Sequence, residues 1–88
     1  MTEFMFPPIK DRPSVLDQAL KIQEEAGEIL AAIPEGRHRI AEEAVDTIHA
    51  CETLIRQLGV DYDAVVIGVI EKNRARGYYA ECYKNSDN

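Results

Sequence analysis

Residues 14–33 read SVLDQALKIQEEAGEILAAI. Val15, Ala19, Ile22, Ala26, Ile29, Leu30 and Ile33 recur at steps of three and four, so at about 100° per residue they gather on one side of a helix. Ser14 follows Pro13 and opens the run, and Asp17 three residues later resembles the acidic half of a capping box, so the helix is predicted to begin here. Pro34 and Gly36 end it.

The same periodicity organises the next two segments of the chain. After a turn between Glu35 and Arg39, the stripe Ala41, Ala44, Val45, Ile48, Cys51 and Ile55 predicts a second helix from Ile40 to Leu58, with Gly59 as its C-terminal stop. Asp61 is placed to cap a third helix through Tyr62, Val65, Val66, Val69 and Ile70, ending near Arg76 before Gly77. Val65, Val66 and Ile67 would also suit a strand, but a lone strand between helices has nothing to pair with. Upstream, PPIKDRP holds three of the four prolines, so residues 1–13 read as an extended lead-in whose Phe4, Met5 and Phe6 pack onto other elements. Residues 80–88 are a frayed tail on this reading, polar at the end and without periodicity.

These elements predict one all-α domain over residues 1–88, a short helical bundle. A chain of 88 residues buries only a modest core alone, and apolar side chains on more than one side of its helices call for self-association. With 45% hydrophobic and 30% charged residues it is globular in composition. Sixteen acidic residues against ten basic give a net charge of −6, which argues against a nucleic-acid polymer as partner. A nucleotide bound by such a chain needs a bridging cation. No signal-peptide pattern and no membrane-length apolar run are present, so the expected location is cytoplasmic, with no membrane partner. Cys51 and Cys82 lack metal-site or disulfide spacing and read as ordinary reduced cysteines.

The chemistry lies in two acidic pairs. Glu25 and Glu28 on the first helix, and Glu43 and Asp46 on the second, each stand one turn apart on a helical face. Glu25 falls three residues after Ile22 and four before Ile29, at the edge of the apolar stripe, an expensive place for a bare carboxylate. Glu43 and Asp46 lie roughly opposite Ile48, where Thr47, Ala50 and Leu54 flank them and can face another helix or subunit. Single pairs of this kind are common on solvated helices. Two gathered in one bundle repel unless a cation sits between them, and magnesium, which prefers hard oxygen ligands and bridges carboxylates to phosphates, meets that need.

The motifs E-x-x-E and E-x-x-D, as Glu25-Ala-Gly-Glu28 and Glu43-Ala-Val-Asp46, with KIQEEAGEILAAI, AEEAVDTIHA and EKNRARGYY around them, resemble the MazG-like nucleoside triphosphate pyrophosphohydrolases over residues 14–79. The resemblance implies an all-α bundle completed by oligomerisation, as a homodimer or homotetramer, that cleaves a nucleoside triphosphate (NTP or dNTP) between its α and β phosphates. Nucleoside monophosphate and pyrophosphate are the implied products. It further implies Glu25, Glu28, Glu43 and Asp46 as magnesium ligands, for which manganese can substitute, and Glu25 or its neighbour Glu24 as the residue that orients the attacking water.

On the third helix Lys72 and Arg76 stand one turn apart beside Asn73 and can meet a phosphate chain, although cations at a helix end also suit the helix dipole without any ligand. Tyr78 and Tyr79 can stack on a base or pack on a partner subunit. Glu35-x-x-His38 and Asp46-x-x-His49 superficially match di-iron spacing, but the first crosses Gly36, so a di-iron site is not expected. The rival to an enzyme is a non-catalytic helical module that binds nucleotide or protein.

Overall fold

The computed structural model describes residues 3–80. They form three α-helices, α1 (Val15–Ala32), α2 (Arg37–Leu58) and α3 (Tyr62–Ala75), with a 3-10 turn over Ile33–Glu35 and no strand among the described residues. The all-α expectation holds, including the helical reading of Val65, Val66 and Ile67. The expected tail, apart from Ala80, and Cys82 with it, lie outside the described residues, as do Met1 and Thr2 of the lead-in.

Local chemistry sets the helix ends. Ser14 Oγ accepts the Asp17 N–H at 3.0 Å, satisfying a backbone donor that the first turn of α1 leaves without a helical partner. Asp61 caps α3 in the same way, accepting from the Ala64 N–H at 3.2 Å. Gly59 closes α2 in the left-handed conformation at φ 66°, donating to Arg56 O. After α3 the Gly77 N–H bonds Arg74 O and the Tyr78 N–H bonds Asn73 O, the paired reversal of a Schellman motif.

α2 begins at Arg37, three residues before the predicted Ile40. Gly36 accounts for the difference, because at φ 103° it reverses the chain in one residue, a conformation that side-chain-bearing residues resist. The polar run Arg37, His38, Arg39 is therefore the first turn of a helix. Ile40 N–H already bonds Gly36 O.

Contacts divide the described residues into two compact units, Phe4–Gly59 and a second holding Glu3 and residues 60–80. In the first, α1 and α2 form an antiparallel hairpin: Gln18 meets Ala50 near one end, and Ala32 precedes the turn at the other. Its buried apolar residues are both alanines, Ala32 and Ala50, and small side chains let the helix backbones come close. Gln18 is buried beside them and donates Nε2–H to Ala50 O at 2.9 Å.

The covered face of α1 runs through Gln18, Ile22, Glu25, Ile29 and Ala32. On α2 the covered side includes Glu43, Thr47, Ala50 and Leu54, whereas Val45 and Ile48 of the expected stripe keep 44% exposure each. The acidic pair thus sits on the side of α2 turned toward α1.

The lead-in is tied to α2 by a polar anchor. Glu52, buried to 5% exposure, accepts the Met5 N–H at 3.0 Å and the Phe6 N–H at 2.9 Å, one on each carboxylate oxygen. Arg56 donates to Phe6 O at 3.0 Å and lies over the Phe4 ring at 4.1 Å. Phe6 stacks on His49 with ring centroids 4.4 Å apart, and Gln57 donates to Pro13 O. Phe4 and Phe6 pack as the sequence suggests, whereas Met5 is 71% exposed and is held by its backbone N–H. In the second unit, Tyr78 and Tyr79 meet edge to face at 6.2 Å. No helix among the described residues is long and apolar enough to cross a membrane.

Candidate active site

The helix pair brings three of the four predicted ligands together. Glu25 from α1 and Glu43 and Asp46 from α2 each offer a carboxylate oxygen, and these oxygens lie within 4.8 Å of one another. Glu43 and Asp46 are one turn apart on α2, and Glu25 reaches them because it occupies the covered face of α1. Its side chain keeps only 15% exposure and that of Glu43 12%, while Asp46 is exposed. Glu28 is exposed on the following turn of α1 and stands outside this group. Glu24 is also outside it, 65% exposed.

Three carboxylates at this spacing repel, and two cations at the margin offset part of that charge. Lys21 Nζ lies 3.1 Å from Glu25 Oε1 and 3.3 Å from Glu24 Oε1, and these partners, Glu25 first, raise the ammonium pKa above its usual value. Arg39 extends its fork to Glu42 at 2.7 Å, Glu43 at 2.8 Å and Glu35 at 3.4 Å, which holds its pKa far above the ordinary one. In return Arg39 pulls the Glu42 carboxyl below its usual value. Asp46 has no ion pair among the described residues. The donor set is all hard carboxylate oxygen from two rigid helices, which fits a divalent cation such as magnesium and offers no soft ligand.

A pocket of about 510 Å³ opens beside the cluster, bounded by Lys21, Glu25 and Asp46, by His49 and Gln18, and by Ile9 and Pro13 of the lead-in. His49 Nε2 is shielded from solvent with no hydrogen-bond partner among the described residues. His38, by contrast, is on the surface, 3.6 Å from Glu42. Sequence reasoning did not find Gln18, Lys21, Arg39 or the lead-in as parts of the site's surroundings. For Lys21 and Arg39 a signal existed, since each stands four residues before a predicted ligand.

Lys72, Asn73 and Arg76 gather at the C-terminal end of α3 in the second unit, with Lys72 and Arg76 exposed and Asn73 half-buried. Arg76 N–H bonds Lys72 O at 3.3 Å, which keeps the two on successive turns.

Comparison with known families finds a match between residues 7–73 and the family described as phosphoribosyl-ATP pyrophosphohydrolase, PRA-PH. Comparison with curated proteins and with solved structures returned no match. The matched span contains α1, α2, most of α3 and all three clustered carboxylates. It supports the all-α NTP pyrophosphatase type of superfamily, under a family heading other than the MazG-like one. Pyrophosphohydrolysis of a nucleotide is the family's activity, usually with a divalent metal, and the oxygen-only cluster between α1 and α2 agrees with that chemistry. The chain belongs to the phosphoribosyl-ATP pyrophosphohydrolase family.

Proposed function

We propose that this protein is a magnesium-dependent pyrophosphohydrolase of nucleoside triphosphates, NTP or dNTP, within the MazG-like part of its superfamily and serving nucleotide-pool sanitation. The observation that carries the reading is the convergence of Glu25, Glu43 and Asp46 from two helices. Those three residues hold the metal, with Glu28 as a fourth and more loosely engaged ligand. Bound there, magnesium supplies charge neutralisation for the phosphates and the leaving pyrophosphate; manganese can replace it.

The residues of the chain position the remaining participants. Glu25, in the cluster, orients water toward the α phosphorus in preference to Glu24, which is exposed and stands outside it. The water oxygen bonds to the α phosphorus, the bond from that phosphorus to the bridging oxygen breaks, and pyrophosphate leaves with that oxygen. A carboxylate takes the water's proton. Lys72, Asn73 and Arg76 contribute phosphate contacts, and a homodimer or homotetramer covers the apolar surface left open on α1 and α2. The site of action is cytoplasmic, without nucleic-acid polymer or membrane as partner.

A second substrate, phosphoribosyl-ATP, is favoured by the family match. Incubation of the protein with ribo- and deoxynucleoside triphosphates and phosphoribosyl-ATP, each with magnesium, tests both readings. Pyrophosphate and orthophosphate are detected separately. Pyrophosphate release supports the reading and its substrate profile chooses between the two, whereas inactivity on every nucleotide favours the non-catalytic helical module.

A further inference from the structure

The pocket beside the carboxylates is lined by both α1 and α2 and by the lead-in. Glu25 and Asp46 of the cluster line it, and so do Ile9, Asp11 and Pro13 of the lead-in, Asp17 of α1 and Thr53 of α2. Asp46 to Thr53 is two helical turns, so at 1.5 Å per residue the two are about 10 Å apart along α2. Between Asp46 and Thr53 along α2, Ala50 and His49 also line the pocket, as does Gln18 of α1. A triphosphate held at the carboxylates would therefore direct the remainder of its molecule toward the lead-in.

The lead-in is built to serve as a wall. Its upstream end is fixed by the Glu52 carboxylate on the Met5 and Phe6 amides, by Arg56 on Phe6 O, and by the stacking of Phe6 on His49. Its downstream end is fixed by Gln57 on Pro13 O. Between these ties, Ile9 keeps 40% exposure and borders a second hollow of about 340 Å³ as well as the first. The strap is anchored at both ends with open space on either side of its middle.

We infer that residues 7–13 form the nucleoside subsite, with Ile9 and Pro13 as an apolar platform for the base and sugar and Glu52 as the positioning residue that holds the strap in place. The inference rests on the proposed reading that phosphates and metal lie at the carboxylates. It assigns substrate discrimination to the lead-in and phosphate chemistry to the helices. Apolar contact with a flat ring system needs rigid, shaped surface, and a strap fixed at both ends provides it.

Equilibrium titration in magnesium with a nucleoside triphosphate and with inorganic triphosphate separates the two roles. The parent should bind the nucleoside triphosphate more tightly. Ile9→Ala should weaken nucleoside triphosphate binding about tenfold, the order expected for lost apolar contact in a pocket, and leave inorganic triphosphate binding unchanged. Glu52→Gln should give the same selective loss through the loosened strap; should that variant fail to fold, Ile9→Ala alone decides. Equal weakening of both ligands, no weakening of either, or a parent that does not prefer the nucleoside ligand overturns the inference. Pyrophosphate release in the same samples reports separately on catalysis: binding that discriminates as described without turnover would sink the catalytic reading and leave the subsite standing.

Discussion

Gln18 on α1 donates its side-chain amide to the carbonyl of Ala50 on α2 at 2.9 Å, in the buried seam of the hairpin. Gln18 lies two turns before Glu25, and Ala50 one turn after Asp46, so this bond fixes the register in which the carboxylates meet. Gln18→Ala removes a buried hydrogen bond and should destabilise the protein by about 1–3 kcal/mol. Urea denaturation measures the loss. A variant as stable as the parent would mean that the helices are held in register by other contacts.

Neutralising the cluster should separate stability from activity. Glu25→Gln, Glu43→Gln and Asp46→Asn should each lower pyrophosphate release by at least about hundredfold, since even residues that merely support a metal ligand commonly cost 10–100-fold. Glu28→Gln, outside the close group, should cost less. Asp46→Asn relieves repulsion without breaking an ion pair, so without metal it should melt at or above the parent temperature while losing the rise that magnesium gives the parent. Losses in Glu25→Gln/Asp46→Asn should be far from additive because the residues act as one unit. A folded double mutant with parental rates would exclude this site.

The Arg39 cluster makes an acid-side prediction. Arg39 stabilises the charged form of Glu42, whose pKa is lowered, so the associated stability is fully present above the unfolded carboxyl pKa and disappears as pH falls through the lower folded value. Carbon-detected NMR titration should find Glu42 below the ordinary glutamate value, and Arg39→Gln should return it upward. An unmoved Glu42 in that variant would show that the salt bridge is not populated in solution.

Exposed apolar surface leads to a prediction on assembly. Leu16, Leu20 and Leu30 on α1 retain 67%, 52% and 70% exposure, and Val45 and Ile48 form an exposed apolar pair on α2. Light scattering should give a mass above the 9.9 kDa of one chain, and Val45→Glu/Ile48→Glu should lower it. A parent monodisperse at the monomer mass would rule out the shared bundle.

The helices were legible because apolar residues recur at the helical period, although Val15, Ala19, Ala26, Leu30 and Ile33 of the α1 stripe are exposed, and because Ser14, Gly59 and Asp61 carry cap chemistry in their side chains or lack of one. The start of α2 was not, since the positive φ of Gly36 leaves no trace in hydrophobic spacing. Both acidic motifs could be read as spacing, and their meeting could be read only in part. Ala41, Val45 and Ile48 of the expected α2 stripe are exposed while Ala44, Cys51 and Ile55 are half-buried, and the covered side also takes in Glu43, Thr47, Ala50 and Leu54, whose small and polar members weigh little in a periodicity. Gln18 and Glu52 were hidden for another reason. Each is buried against backbone atoms more than thirty residues away, and nothing local announces such a partner.

The anchoring of Met5 and Phe6 by Glu52 also predicts an order of folding. Those bonds join residues 46 and 47 positions apart, whereas α1 and α2 are joined by a short turn over Ile33–Glu35 and Gly36. Closing the longer loop costs more chain entropy, and its partner carboxylate is presented only once α2 has formed. The lead-in is thus expected to dock after the hairpin has formed. In pulsed hydrogen exchange during refolding, the amides of Met5 and Phe6 should gain protection after those of the hairpin, and in the native state they should report a local opening distinct from global unfolding.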